Sequence, residues 1–169
     1  TSFQTSGTVP WPTGGFNYIE DVTVMPDDKI YCVGAYGGFR SPGFIQRYGI
    51  ARLNADGSVD TGFQINPAEF GVPAGVSNLR GFFPQASPDG SGDVYVVGSL
   101  EWGPAFPIGG SVQVFARLNS DGSRDLGFQP SIPANVDRIT GVVVEPSGSV
   151  TVLGSIGNPA TDGYMARFT

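Results

Sequence analysis

The sequence ARLNADGSVDTGFQ occupies residues 51–64, and ARLNSDGSRDLGFQ occupies residues 116–129. Eleven of the fourteen positions are identical, and the closing pairs Phe63-Gln64 and Phe128-Gln129 stand 65 residues apart. A near-duplicate of this length marks an internal repeat, and a repeat decides the architecture before any single element does. Working outward, a further Phe-Gln stands at Phe3-Gln4, and Ala166-Arg167-Phe168 restates the opening of the phrase just before Thr169. The 169 residues form a single repeat domain of three units, about 4–64, 65–129 and 130–169, the last one truncated.

Each unit repeats one order of segments. A strand-like stretch comes first: YIEDVTVMP (18–26), LRGFFPQASP (79–88) and ITGVVVEP (139–146). A turn follows, then a second strand: KIYCVGAY (29–36), DVYVVGSL (93–100) and SVTVLGSI (149–156), each with Gly at the same place, Gly34, Gly98 and Gly154. A Gly/Pro-rich loop leads to a third strand, YGIARL, VFARL or YMARF, and in the first two units the Asp-Gly phrase then turns the chain toward its closing Phe. Short β-branched and aromatic runs bounded by turn residues signal an all-β sandwich, barrel or propeller. Repetition of three or four antiparallel strands narrows this to a propeller-like array of three antiparallel β-sheet repeats, or blades, with almost no helix.

Composition agrees. Gly (26) and Pro (14) make up nearly a quarter of the chain, yet 40% of residues are hydrophobic and 12% aromatic, which a disordered chain would lack. The net charge is −6, with Lys29 the single lysine and no histidine. A lysine-poor acidic chain lacks the footprint of a nucleic-acid binder. It has no apolar run long enough to span a bilayer as a helix, so no membrane insertion is expected. Cys32 is alone, has no internal disulfide partner, and reads as a buried, inert thiol. A first residue other than Met suggests a processed product or an excised piece.

The order D-G-K/S-I/V-x-V-x-G, a loop, and A-R-L-N-x-D-G-S-x-D-x-x-F resembles the bacterial delta-60 repeat, a β-propeller repeat described as a domain of unknown function. Residues 30–34 with 51–63, 93–98 with 116–128, and 150–154 with 166–168 carry the resemblance, which covers nearly the whole chain. The third unit departs from it by lacking the Asp-Gly phrase. The resemblance implies a propeller-like fold in bacterial surface or secreted proteins and in some phage structural proteins, and no established catalytic activity. It thus places the chain outside the cell, at a cell surface or in a virion. Closed propellers have about four to eight blades, so three units are expected to associate as a homo-oligomer, to join neighbouring repeats or structural proteins, or to be part of a longer array.

Three sets of side chains are candidates for chemistry. In the phrase, Asn54, Asp56 and Asp60, and again Asn119, Asp121 and Asp125, alternate oxygen donors as calcium loops do, but the spacing lacks the Gly and the closing carboxylate of an EF-type loop. The competing reading, a tight Asp-Gly hairpin with local side-chain hydrogen bonds, is preferred, and calcium is kept as the alternative. Arg52, Arg117 and Arg167, with Phe63 and Phe128, recur as structural repeat positions. A three-residue hairpin loop would place Asn54 opposite Asp60 and Arg52 diagonally on the same face, close enough to pair, whereas a two-residue loop would put Asp60 on the opposite face from Arg52. Trp11, Phe39, Trp102 and Phe106 sit in Gly/Pro-rich loops, as packing lids or as anchors for a glycan or host surface.

Catalytic groupings are sparse. Without histidine there is no Ser-His or Cys-His couple, and the carboxylate pairs Glu20-Asp21 and Asp27-Asp28 are placed on opposite strand faces or in a turn. No phosphate-binding fingerprint opens a helix. The expected function is a non-enzymatic structural or assembly module of a bacterial surface protein or phage particle, mediating self- or neighbour association. The alternative is a module recognising glycan or a host surface through its aromatic loops.

Overall fold

The computed structural model describes residues 11–13, 18–36, 38–40, 44–75, 80–89, 91–103, 110–157 and 162–169, with the side chains of 11–13, 39, 40, 44 and 80–88 left aside. The alternating apolar runs of the three units each become a three-stranded antiparallel blade. In unit one β2 (Tyr18–Val24), β3 (Ile30–Tyr36) and β6 (Ile50–Leu53) pair with β3 in the middle. Unit two contributes β7 (Arg80–Pro88), β8 (Val94–Trp102) and β9 (Gly110–Leu118), and unit three β10 (Val136–Val144), β11 (Val150–Ile156) and β12 (Asp162–Phe168). Ala35 and Tyr36 also pair with Phe82 and Gly81, so units one and two share one six-stranded sheet. Unit three keeps a sheet of its own.

One expectation is revised by long-range pairing. The stretch 39–46, read as a loop, forms β4 (Gly38–Arg40) and β5 (Phe44–Gln46), which build a separate small sheet with β1 (Trp11–Thr13). β1 comes from the preceding segment, 8–16, so no local pattern announces its pairing with β4. The helical content among the described residues is one 3-10 turn at Pro67–Phe70, capped by the Asn66 side chain and closed by Gly71 at φ 82°.

Alternation along the middle strands assigns every core. Successive side chains of a strand point to opposite faces. Tyr31 and Val33 of β3 meet Val94 and Val96 of β8, joined by Ile50, Phe63, Ala116 and Leu118. Tyr95 and Val97, on the other face of β8, meet Val150 and Val152 of β11, with Phe115, Ile139 and Val142. The middle blade is therefore buried on both faces, which is why VYVV is unbroken by polar residues. Cys32, Ala51, Leu53 and Val59 form a third cluster on the far face of unit one, with Ile45 of the small sheet packed against it.

The recurrent glycine of each middle strand answers to a backbone approach. Register shifts interrupt the β2–β3 pairing between Ile19 and Asp21, and the β10–β11 pairing on both sides of Ile139. At these bulges the first strand swings inward, and a Cβ on Gly34 or Gly154 would lie inside the Tyr18 or Arg138 carbonyl oxygen. β7 carries a similar shift between Phe82 and Gln85, opposite the stretch of β8 that holds Gly98.

Units one and two are also tied across their boundary. Gln64 N donates to Asp121 O at 2.9 Å, directly linking the end of one phrase to the turn of the next. Within unit two, Arg124 N donates to Glu69 Oε2 at 2.8 Å, and its guanidinium lies 5.6 Å from the Phe70 ring centre.

Candidate functional site

The Asp-Gly phrase closes a three-residue hairpin loop of Ala55, Asp56 and Gly57. Asn54 N donates to Ser58 O, Gly57 N donates to Asn54 O, and Gly57 takes φ 85°. This is a type I turn followed by a left-handed residue, the usual three-residue hairpin, and it explains the glycine. Asn119 to Ser123 repeat it, with Gly122 at φ 90°. The side chains complete the turn: Asn54 Nδ2 donates to Ser58 Oγ at 2.9 Å, and Ser58 N and Oγ donate to Asp56 Oδ1 at 2.9 and 2.7 Å. Asn119, Asp121 and Ser123 bond identically. Asp56 and Asp60, grouped in the calcium reading, turn to separate partners, and among the described residues no three carboxylates or thiols are placed to hold a metal ion.

The hairpin register differs from the expected one by a single pair. Asn54 stands opposite Ser58, Leu53 bridges Val59, and Asp60 N donates to Arg52 O. Arg52 and Asp60 are therefore direct cross-strand partners rather than diagonal ones, because the loop starts at Ala55 rather than at Asp56. The fourth strand of the blade amounts to this one bridge. It ends in a second turn, where Gly62 N donates to Asp60 Oδ1 and Phe63 N to Asp60 O.

Around Arg52 the residues build a compact ionic group. Asp60 Oδ2 accepts from Arg52 Nε at 2.8 Å and from Lys29 Nζ at 2.9 Å. The guanidinium carbon lies 5.0 Å from the Phe63 ring centre and 5.9 Å from that of Tyr31, and these two rings meet edge to face at 5.2 Å. Partial burial pushes the Asp60 carboxyl up, but the hydrogen bonds from Lys29, Arg52 and Gly62 outweigh it and hold the group below its usual value. Arg47, also buried, reaches the Asp60 carbonyl through Nη2 at 3.2 Å.

Unit two keeps the arginine and reverses its surroundings. Arg117 Nη2 meets Asp89 and Asp93, each at 2.9 Å, and its Nη1 reaches Asp125 at 3.4 Å. Tyr95, Phe128 and Phe115 provide the rings, with Phe128 5.0 Å from Tyr95. Burial pushes Asp89 up, while Ser91 and Arg117 pull it further down, below its usual value. In unit three Arg167 pairs with Glu145 and lies near Ser147 Oγ, and Phe168 joins the ring cluster at Phe115.

A pH dependence follows. Asp60 and Asp89 hold lowered values in the fold, so the stability they contribute is present above the unfolded value of about 4 and is lost as pH falls through the lowered values. Stability should be level near neutrality and fall as pH drops below about 4. Urea titrations at stepped pH check this, and Asp60→Asn should shorten the acid limb.

The remaining candidates are dispersed. Trp102 is half-buried, packs against the core between units one and two, and lies across Gly110, where a Cβ would meet its ring at 2.5 Å. Trp11 and Phe39 belong to the adjacent strands β1 and β4, with Pro12 paired to Phe39, and their side chains are outside the description. Phe106 and the Phe3-Gln4 pair lie outside the described residues. Glu20 is exposed beside the β2 bulge, and Asp27 Oδ1 accepts from Lys29 N within the turn. The sequence reading missed Lys29, Asp89, Asp93 and the tyrosines Tyr31 and Tyr95. Tyr31 and Tyr95 share a column of the repeat, and Lys29 and Asp93 share another with opposite charge, so column-by-column comparison would have found them.

A family model described as a domain of unknown function (DUF5122) beta-propeller matches residues 26–63 and 107–128. Both matches run to the closing aromatic of the phrase, Phe63 or Phe128. No curated protein matches the chain. Its antiparallel blades, its duplicated hairpin and these two matches make the two full phrases of the chain similar to the DUF5122 β-propeller repeat.

Proposed function

We propose that this protein is a non-enzymatic assembly module whose open blade face is completed by a second copy of the chain. The observation that carries the reading is the forward face of unit three. The same face in units one and two holds Tyr31, Val33 and Ile50, or Tyr95, Val97 and Phe115, and the next blade covers it. In unit three the corresponding Leu153 and Met165 stand opposite each other across β11–β12, and both are exposed, with Val143 beside them on β10. An apolar strip of this kind normally meets a partner.

The copy is chosen because the far face of unit one, the face that a following blade turns to its neighbour, leaves its β2 edge open while Cys32, Ala51 and Leu53 beside it are covered. Val22 and Val24 are exposed on β2, opposite Cys32 and Ile30, and so belong to the far face of unit one. Unit three of one copy against unit one of the next is a head-to-tail contact that can close into a ring. Two copies give six blades, within the range that propellers use. A cell-surface or virion setting belongs to the same proposal.

Leu153→Asp with Met165→Asp should convert an oligomer into a monomer, read by sedimentation equilibrium, while the far-ultraviolet spectrum is kept. A wild-type chain that stays monomeric at every accessible concentration, or an oligomer indifferent to both changes, would overturn the proposal. Recognition of glycan through the aromatic loops draws less support, since Trp102 spends its ring on the core and on Gly110.

A further inference from the structure

The two complete arginine groups differ in a way that leaves one of them short of carboxylates. In unit two, Arg117 carries Asp89 and Asp93 on Nη2 and Asp125 on Nη1. In the repeat alignment Met25 stands for Asp89 and Lys29 for Asp93, so unit one has lost both outer carboxylates and gained a cation. Arg52 there meets one carboxylate among the described residues, Asp60, through Nε, and its Nη1 reaches the Tyr31 hydroxyl at 3.4 Å.

The vacated space is a cavity of about 230 Å³ at the junction of units one and two. Met25, Asp27, Lys29, Tyr31 and Arg52 line one side, and Gly92 and Ser120 of unit two close it. The charges point one way. Lys29, Arg52, Asp27 and Asp60 sum to zero, whereas Arg117 with Asp89, Asp93 and Asp125 leaves two net negative charges in a group that folds. Unit one can therefore accept a carboxylate and still hold less negative charge than its neighbour tolerates.

We propose that the Lys29–Arg52 cavity is a binding site for a carboxylate, which takes on Arg52 the place that Asp89 and Asp93 take on Arg117. A guanidinium edge suits a carboxylate geometrically, and Lys29, paired with Asp60 at 2.9 Å, adds a second cation to the lining. Tyr31 and Phe63 hold the guanidinium plane, so the site is built before the ligand arrives. The volume suits a small acid, up to a sugar acid, or one acidic side chain of a partner.

The test is a titration of the intact chain followed through the arginine Nε–H and lysine NMR signals. Acetate and glucuronate probe the free-acid source, and a capped Gly-Asp-Gly peptide probes the side-chain source. Saturable shifts at Arg52 and Lys29, absent at Arg117, are expected, and the tightest probe identifies the source. Lys29→Gln should weaken binding at least tenfold. Lys29→Asp, which copies the unit-two residue, should abolish binding while the fold is kept. Undiminished binding in Lys29→Asp, no saturable shift in the wild type, or equal, salt-driven shifts at every arginine (an adventitious ion only) would each overturn the proposal.

Discussion

Phe63→Ala is expected to destabilise the protein by about 3–5 kcal/mol, the range for deleting a fully buried aromatic ring. Phe63 has no exposed surface, packs edge-on to Tyr31, and covers the guanidinium of Arg52. Its loss opens a cavity under an ion pair that the ring shields, and uncovers the core shared by two blades. Phe128 holds the same place in unit two but is only half-buried. Phe128→Ala should cost about half as much. Urea denaturation of both variants measures the difference, and equal losses would mean that the closing aromatic is not set by the depth of the blade junction.

The second large effect belongs to the bulge glycines. Gly34→Ala forces a methyl group into the Tyr18 carbonyl oxygen and to within 2.9 Å of Glu20 N and Ile19 Cα. These are backbone atoms that cannot swing aside, so the cost should reach about 3 kcal/mol, the upper end for overpacking. The strand β2 is expected to detach before the rest unfolds. Gly163→Ala on β12 is the matched control, with nothing within 4 Å of the added carbon, and should stay within about 0.5 kcal/mol of the wild type. Hydrogen exchange at Thr23 and Met25, whose amides face β3, distinguishes loss of β2 from global loss, and a Gly34→Ala chain as stable as the control would refute the bulge explanation.

The sequence made the blades legible because two periodicities coincide in it. Alternation in KIYCVG, DVYVVG and SVTVLG fixes which residues face which neighbour, and duplication of the phrase fixes where units end. The glycines at 34, 98 and 154 could be located but not explained, since their cause is the carbonyl of a bulged strand elsewhere in the chain. The β1–β4–β5 sheet escaped for the same reason: β1 and β4 are separated in the chain by β2 and β3. The hairpin register was missed by one residue, because Asp-Gly can sit at either of two places in a three-residue loop. Lys29, Asp89 and Asp93 were overlooked as ordinary turn residues, and only the fold brings them to the arginine.

The blades are not fastened alike, and this gives the array a thermal direction. Units one and two share a sheet and are stitched by the hydrogen bond from Gln64 N to Asp121 O. Unit three, a separate sheet, leans on unit two through the apolar cluster of Tyr95, Phe115, Val142 and Val152. Contacts of that kind lose strength as water is chilled. Cold therefore acts on this chain from its last blade inward, freeing the third unit while the first two still stand.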